Sequence, residues 1–516
     1  MTGSLKSRNI IAAFVFLLVL LYLFLGTGLH GDDYSAVGRW SDVWEFLNPD
    51  PKKKSILLYL LPTFYTFWWP YFLIGFEHQW VYDLIKMVAH AISFYCVYRF
   101  ACDYFPRDRA MLASALFVFS PLHDTTMYWY MTVPYVFFPS VILYAHSLIR
   151  HNKNVSGLLL LMLGSFSYYF SPPYLFGMAC VFAFERKYRK ALIVAVPGLI
   201  YVVYYLFVKY TYTDVDARIN GGLSFAGIVK SLIMQPITLV EAAIGPSYWL
   251  KIYYSIGSIS LVSFIIASGI VLWLLLKSGS FSDPPAASKS LYFGLLSVLL
   301  LSFGIYSLTL LYHYSVFNTA NRANVYASLL VAFLLARMPL NRKTVLLLAL
   351  IFILPVFGLS DHWKAWDINQ RRIIENVENN RQLREIEAGS TLLVTGNSYS
   401  RLGPFAHIDF FISPWVIKNI FKESVKSTDI VAFTSYLHLD RGVLVDPKFD
   451  AVYPLTHRIY VYDSVRNSLS EIALSSLPQL LSQRPREIQH WVQLAKGTWI
   501  ESFVTAVSPR LVYLFQ

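Results

Sequence analysis

Residues 10–34 read IIAAFVFLLVLLYLFLGTGLHGDDY, an apolar run that ends in an acidic pair, Asp32-Asp33. The run has about the 20 residues that a helix needs to cross a bilayer. Lys6 and Arg8 precede it, which predicts a cytoplasmic N-terminus and places the acidic pair on the outer side. A cleaved signal peptide is the competing interpretation, but the apolar run is too long and no small-residue cleavage site follows it.

The composition extends this prediction to most of the chain. Of 516 residues, 56% are hydrophobic and 14% are charged, whereas soluble domains have about 25% charged residues. A soluble enzyme is therefore excluded, and the 17% aromatic content excludes a disordered chain. The net charge of +12 lies in short basic runs between apolar segments, as the positive-inside rule requires, so we expect no nucleic-acid partner.

The apolar segments predict a polytopic helical membrane protein with eleven transmembrane helices. The predicted spans are 10–29, 79–100, 110–121, 133–149, 155–170, 174–184, 191–207, 253–276, 291–312, 323–336 and 345–359. With an inside N-terminus, each predicted inner loop is basic and the C-terminus lies outside.

Two domains follow from this pattern. Residues 1–360 form the transmembrane domain, with long outer loops at 30–78 and 209–251, and 55–76 is expected to contain interfacial helices. Residues 361–516 form a small extracytoplasmic α/β or α+β domain, with predicted strands at 391–395, 430–434 and 458–462. After the first of these strands, Gly396-Asn397-Ser398 is either an anion-binding turn or an ordinary one.

The first candidate site is the acidic pair. Adjacent carboxylates repel each other, and one of them can take a proton from an attacking hydroxyl. Together they could also bind a divalent cation, Mg²⁺ or Mn²⁺, through hard oxygens. A solvated Asp pair that caps a helix after Gly31 is the structural alternative.

The second candidate is His123-Asp124, at the outer end of a predicted span and followed by Trp129. These residues could bind a sugar by hydrogen bonds and ring stacking, or the His and Asp could hold a metal; a capped loop with interfacial aromatics is the alternative. Glu77-His78, just before another span, is a similar substrate-binding candidate.

The third candidate is the outer loop NTANRANVY, residues 318–326. Arg322 stands on the predicted outer side, against the general charge bias, and a guanidinium binds phosphate through paired N–H donors. Asn318 and Asn321 could add neutral hydrogen bonds beside it. An arginine that reaches from the membrane to the interface is the alternative.

These elements, in this order, resemble the GT-C superfamily of membrane glycosyltransferases, which use polyprenyl-phosphate-linked sugars. Asp32-Asp33 occupies the place of that family's acidic motif after the first span, and the segment 117–129 is similar to its Pro-x-His-x-Glu-x-x-x-Trp pattern. Arg322 matches an arginine that members use on the carrier phosphate. The sequence departs from the pattern because Asp124 directly follows His123.

The resemblance implies an inverting transfer of a sugar from a polyprenyl-phosphate carrier to a hydroxyl acceptor of a glycan, lipid or protein. Asp32 would be the general base, Asp33 would orient the acceptor or share a metal, and Arg322 would hold the donor phosphate. A transporter or lipid flippase with an outer sensor domain is the alternative. The cysteine-free outer domain favours a bacterial inner membrane with a periplasmic C-terminal domain.

Overall fold

The structure is a computed structural model that describes residues 2–48, 61–167, 170–211, 224–279, 281–283, 286–309, 313–425, 429–456, 458–484 and 486–507. Contacts divide the chain into two compact units. The first contains Met1–Gly28, Trp40–Val316 and Ala320–Asp361, and the second contains Leu29–Arg39, Phe317–Thr319 and His362–Gln516. The acidic pair therefore belongs to the second unit, together with the C-terminal residues, and Arg322 belongs to the first.

Helices account for most of the chain before the first strand. The longer ones are Thr2–Phe24, Gln79–Ala101, Arg107–Val118, Pro134–Arg150, Asn154–Ser165, Ser171–Phe184, Tyr188–Thr211, Phe225–Ile244, Pro246–Gly257, Leu261–Lys277, Lys289–Thr309, Val325–Leu335 and Leu354–Asn379. The shorter ones are Asp33–Ala36, Val43–Leu47, Leu61–Thr63, Trp69–Leu73, Thr125–Tyr128, Arg342–Leu348 and Arg381–Arg384. Helical turns of other types cover Phe64–Trp68, Pro121–His123, Tyr130–Thr132, Thr319–Asn324 and Ala349–Ile353.

Six of the described helical segments are long and apolar enough to cross a membrane: Gln79–Ala101, Tyr130–Arg150, Tyr188–Thr211, Phe225–Gly257, Lys289–Thr309 and Arg342–Asn379. Four shorter apolar helices accompany them, among them Ala13–Phe24, the described apolar part of the first predicted span. A polytopic helical membrane protein is thus confirmed at this level, and the count of eleven spans stays a prediction.

The segment predicted as the outer loop 209–251 contains helix where the structure describes it. Ser224 caps helix Phe225–Ile244 by accepting from the Gly227 N–H, and Pro236 is accommodated within this helix. Its apolar residues Ile233 and Ile237 are more than half exposed, as expected for a lipid-facing surface. Polar residues interrupt the apolar run, which is why the sequence pattern favoured a loop. The predicted interfacial segment 55–76 lies in part outside the described residues.

Two helices of the first unit approach each other through glycines. In Ser171–Phe184 and Lys289–Thr309, a Cβ on Gly177 would lie 2.3 Å from Val298 Cγ2, and a Cβ on Gly294 would lie 2.2 Å from Val181 Cγ2. Each of these Cβ atoms would also lie 2.9 Å from the carbonyl oxygen of the other glycine. Small residues at such crossings let helix backbones pack closely inside a membrane.

The second unit is built around a four-stranded sheet whose strands, in spatial order, are β4 (Asp429–Ala432), β1 (Thr391–Thr395), β8 (Ile459–Asp463) and β9 (Ser468–Ile472). Strand β1 is parallel to β4 and β8, and β9 is antiparallel to β8. The strands are β1 (Thr391–Thr395), β2 (Tyr399–Leu402), β3 (Phe405–Asp409), β4 (Asp429–Ala432), β5 (His438–Asp440), β6 (Val443–Asp446), β7 (Ala451–Pro454), β8 (Ile459–Asp463) and β9 (Ser468–Ile472). The predicted strands correspond to β1, β4 and β8.

The second unit also contains a hairpin, a second antiparallel sheet and four short helices. Strands β2 and β3 form a hairpin, and β5, β6 and β7 form a three-stranded antiparallel sheet. The helices are Pro414–Phe421, Leu477–Ser482, Trp491–Leu494 and Trp499–Val507. Leu393, Val431 and Val461, one from each parallel strand, pack in a common core with Leu477. The apolar residues of the parallel strands therefore anchor the sheet.

Candidate functional site

The acidic pair lies on a tight turn that opens the short helix Asp33–Ala36. Gly31 takes a left-handed φ of 49°, which a glycine adopts without steric cost. The two carboxylates are in different environments: Asp32 is partly exposed, whereas Asp33 is fully buried. Only Asp32 is therefore accessible to a dissolved group.

Each carboxylate of the pair has its own donor within the second unit. Asp33 Oδ2 accepts from the His30 N–H at 2.9 Å, a hydrogen bond that stabilises the turn between these two residues. Asp32 Oδ1 accepts from the Trp415 indole N–H at 2.6 Å. The indole fixes the direction of the Asp32 carboxylate, and Asp33 shapes the backbone that carries it.

Buried side chains surround this turn. The His30 ring makes a 2.6 Å hydrogen bond through Nδ1 with Gln370 Oε1 and an edge contact with Trp363. Tyr34 is fully buried, and burial, together with the negative charges of Asp367 and Asp33, raises the pKa of its phenol well above the usual value. The Tyr34 hydroxyl therefore stays protonated over the physiological pH range.

In the first unit, the structure brings two of the predicted motifs together. Asn321 Nδ2 donates to Asp124 Oδ1 at 2.7 Å, and Asn321 Oδ1 accepts from the Thr125 N–H at 3.2 Å. Asn324 Nδ2 donates to the carbonyl of Leu122 at 2.9 Å. Hydrogen bonds from Asn321 and Asn324 thus hold the helical turn Thr319–Asn324 against the segment that contains His123 and Asp124.

A buried cation completes this network. Lys251 Nζ lies 2.7 Å from Asp124 Oδ1 and donates to the Val316 carbonyl at 2.8 Å. Both side chains of the Lys251–Asp124 ion pair are at most 1% exposed. Asp124 is therefore a structural anion whose charge is balanced inside the protein.

Arg322 lies on the turn that this network holds. Its guanidinium carbon is 5.3 Å from the centroid of the Trp129 ring and 6.0 Å from that of Tyr135. Trp129 and Tyr135 are buried, whereas Arg322 is partly exposed. A guanidinium can stack on aromatic rings while its planar N–H donors form hydrogen bonds.

His123 lies inside the same segment. Its Nε2 donates to the Phe117 carbonyl at 3.0 Å, and its Nδ1 lies 2.7 Å from the Thr126 hydroxyl. Burial lowers the pKa of His123 to about 4, so the ring is neutral at pH 7. Both ring nitrogens face groups of the protein, which makes His123 a residue that shapes this segment.

Glu77, His78 and Asn318 are the other residues predicted for substrate binding. Glu77 and His78 are exposed on the turn that precedes helix Gln79–Ala101. Asn318 is buried, has a left-handed φ of 59° and belongs to the second unit. Trp129, in contrast, is in the network through its contact with Arg322.

Sequence reasoning missed a buried ion pair in helix Gln79–Ala101. Asp83 and Lys86 are 2.8 Å apart and at most 3% exposed. Asp83 accepts from the N–H groups of Gly26 and Gly28 at 2.7 and 2.9 Å, and Lys86 donates to the carbonyls of Gly28 and Tyr128 at 2.8 and 3.0 Å. The sequence does contain a signal for this ion pair, because two opposite charges stand three residues apart within an apolar span.

The donors do not fit a cation centre built by the protein alone. Among the described residues, no group of three His, Cys, Asp or Glu side chains could hold a metal ion. One oxygen of each carboxylate of the acidic pair already accepts from an N–H group. Mg²⁺ is usually held by one or two carboxylates, with water and substrate phosphate as its other ligands, so a divalent cation at the acidic pair stays a prediction.

No protein-family model matches the sequence, and no curated protein matches it. Among solved structures, the chain is similar to ArnT from Cupriavidus metallidurans bound to undecaprenyl phosphate. The identity is 12% and the TM-score is 0.36, over 81% of this chain and 85% of that one.

The chain is also similar to the Archaeoglobus fulgidus oligosaccharyltransferase, in complex with Zn and sulfate, at 12% identity and a TM-score of 0.35, over 81% of this chain and 62% of that one. The same enzyme tethered by a disulfide bond to an acceptor peptide with the NVT sequon matches at 11% identity and a TM-score of 0.35, with 63% of its chain covered. The chain thus spans under two thirds of that enzyme. These are structural similarities at low identity, with TM-scores of 0.35 and 0.36.

Proposed function

We propose that this chain is a membrane glycosyltransferase that moves a sugar from a polyprenyl-phosphate carrier to a hydroxyl group of a glycan, lipid or protein on the outer side of the membrane. The observation that carries the proposal is the convergence of the Asp124–Trp129 segment with the turn that bears Arg322. The GT-C resemblance assigns Arg322 to the carrier phosphate, and the segment beside it is similar to a sequence pattern of that family.

Arg322 is the residue that holds the carrier phosphate. Its guanidinium rests on Trp129 and is partly exposed, so its N–H donors can pair with two phosphate oxygens. The buried Asn321–Asp124–Lys251 network fixes the turn below it. The Lys251 charge is already neutralised by Asp124, so Arg322 supplies the positive charge for the phosphate.

Asp32 is the general base. The acceptor oxygen forms a bond to C1 of the sugar while the bond from C1 to the phosphate oxygen breaks, and the phosphate leaves with the electron pair. The Asp32 carboxylate takes the acceptor proton, and attack on the face opposite the phosphate inverts C1. Exposure of Asp32 and burial of Asp33 favour this division of roles, with Asp33 positioning the turn.

The test is sugar transfer by the purified chain in lipid nanodiscs. The substrates are radiolabelled undecaprenyl-phosphate sugars, tested as a panel of hexoses and pentoses against membrane glycolipid acceptors. We expect label to move from carrier to acceptor with inversion at C1, and Asp32→Asn to abolish the movement. In sealed proteoliposomes, carrier that crosses the bilayer with its sugar still attached, without transfer to any acceptor, would support a flippase and overturn the proposal.

A further inference from the structure

The second unit contains a cavity of about 570 Å³ at the carboxyl ends of its parallel strands. The loop after β1, beginning at Gly396, and the turn after β8, which contains Arg466, form part of its wall. Phe433, which follows β4, also lines it. Asp32, Asp33 and Arg322 are not among its lining residues.

The topology of the sheet explains why a cavity forms here. Strand β1 has β4 on one side and β8 on the other, so the connection that follows β1 leads to β4 and the turn that follows β8 leads to β9 on the opposite side. In open sheets of parallel strands, the crevice where connections diverge is the usual place for a ligand. The cavity lies at this position, between the ends of β1 and β8.

The loops that form the cavity are held together. Ser464 donates from both its N–H and its hydroxyl to the Thr395 carbonyl, at 3.0 and 2.6 Å. Gly396 has a φ of 75°, and a Cβ there would lie 2.8 Å from Val465 Cγ2. Tyr399 donates its hydroxyl to the Arg486 carbonyl at 2.7 Å. The cavity is therefore preformed, as small-molecule sites usually are.

The charges at the cavity favour an anion. Arg401 and Arg466 both line it and are both exposed. The one acidic lining residue is Asp463, whose Oδ1 accepts from the N–H groups of Val465 and Arg466 at 2.9 and 3.1 Å and whose Oδ2 lies 3.7 Å from Arg466 Nε. Two guanidinium groups against one carboxylate leave a net positive charge at the cavity.

The other lining groups suit a sugar. Ser398, Ser468, Ser470 and Gln483 supply hydroxyl and amide groups that donate or accept, as sugar hydroxyls require. Tyr399 adds an aromatic ring, with the Arg401 guanidinium 5.5 Å from its centroid. The volume lies within the range of about 300–1,000 Å³ that small-molecule pockets have.

We infer that this cavity binds a sugar that carries a negatively charged group, a phosphate or a carboxylate. Arg401 and Arg466 pair with the anion, and the serines and Gln483 bind the sugar hydroxyls. The site is separate from the transferase chemistry proposed above, and it gives the second unit a recognition function of its own.

The test is calorimetric titration of the full chain in nanodiscs. The probes are glucose, galactose and mannose 1-phosphates, glucuronate, glucose and inorganic phosphate. We expect at least one of the anionic sugars to bind, and both glucose and inorganic phosphate to bind at least 10-fold more weakly than it. The Arg401→Gln, Arg466→Gln double variant should weaken that binding at least 10-fold, and Ser470→Trp, which fills the cavity, should remove it.

Arg441→Gln is the matched control, because Arg441 is an exposed arginine of the same unit that does not line the cavity. It should leave binding unchanged, and tryptophan fluorescence melting checks that every variant is folded. Absence of binding by all four anionic sugars would overturn the inference. Equal binding of inorganic phosphate, or undiminished binding by the folded double variant, would also overturn it.

Discussion

Asn321 and Lys251 bind the same carboxylate oxygen, Asp124 Oδ1, each at 2.7 Å. Asn321 is 197 positions from Asp124 in sequence, and Lys251 is 127 positions from it. One buried atom thus joins three distant segments of the first unit. Because Arg322 is next to Asn321 in the chain, the orientation of the proposed phosphate-binding residue depends on this atom.

Asp124→Asn should strongly destabilise the protein. It leaves the Lys251 ammonium group buried without its counter-ion, and loss of one partner of a buried ion pair costs about 3–5 kcal/mol. Thermal unfolding in nanodiscs measures the loss. Combining Asp124→Asn with Lys251→Met should recover much of the stability, since no charge is then buried. A double variant no more stable than Asp124→Asn alone would contradict the role assigned to this pair.

Arg322→Lys should weaken binding of undecaprenyl phosphate about 10-fold, although the charge is kept. Lysine cannot pair with two phosphate oxygens in the planar manner of a guanidinium. The matched control is Arg337→Lys, because the Arg337 guanidinium also packs on an aromatic ring, 5.7 Å from the centroid of Tyr292. Binding measured with fluorescent carrier lipid should be unchanged in this control. Equal losses in the two variants would indicate a general effect of arginine stacking.

Asp32→Asn and Asp33→Asn should have different effects. The first should lower the rate of transfer at least 100-fold, the lower bound typical of general-base catalysis, with carrier binding and melting temperature unchanged. The second should lower the melting temperature, because Asp33 is buried and its Oδ2 accepts from the His30 N–H. Full transfer activity in Asp32→Asn would rule out its role as base.

Gly294→Ala should destabilise the helix pair Ser171–Phe184 and Lys289–Thr309, because the added methyl group would overlap Val181. We expect a loss of about 1–3 kcal/mol, the usual cost of overpacking. Gly304→Ala in the same helix is the control, since its Cβ would meet no atom within 4 Å. It should leave stability unchanged or raise it by about 1 kcal/mol through better helix propensity. Similar melting temperatures for the two variants would contradict the close crossing.

The stability of the protein should fall as the pH falls from about 6.5 to about 4, in part through His123. Its pKa is about 4 in the folded protein and about 6.5 when unfolded, so between these values the unfolded chain binds the extra proton. The effect reaches about 3 kcal/mol at the lower end. His123→Gln should reduce the drop in melting temperature between pH 7 and pH 5, and His438→Gln, at an exposed site, should not. Identical pH profiles for both variants and the unchanged protein would contradict the assignment.

The sequence predicts the helical membrane architecture well because length and hydrophobicity are local properties. Helix Phe225–Ile244 is not predicted, because Pro236 and neighbouring polar residues interrupt the local apolar pattern. The folded helix nevertheless accommodates Pro236. The strands β1, β4 and β8 were found as short apolar runs, but their order in the sheet depends on contacts that no local pattern contains.

The candidate site was predicted only in part. The sequence singled out Asp32, Asp124 and Arg322, yet it did not indicate that Asp124 is neutralised by Lys251. Such partners are more than 100 positions apart, so spacing carries no information about them. The adjacent aspartates look equivalent in sequence, and only the structure shows that Asp33 is buried and Asp32 is partly exposed.

The ion pair of Asp83 and Lys86 has a consequence for how the chain enters the membrane during synthesis. Asp83 and Lys86 lie in the first half of helix Gln79–Ala101, and a charge costs up to about 2.5–3.5 kcal/mol within an inserting helix on translocon scales. Their partners at Gly26 and Gly28 follow the first helix, which leaves the ribosome earlier. Helix Gln79–Ala101 is therefore most easily released into lipid while helix Thr2–Phe24 is still beside it. We expect the two helices to be integrated together as a hairpin.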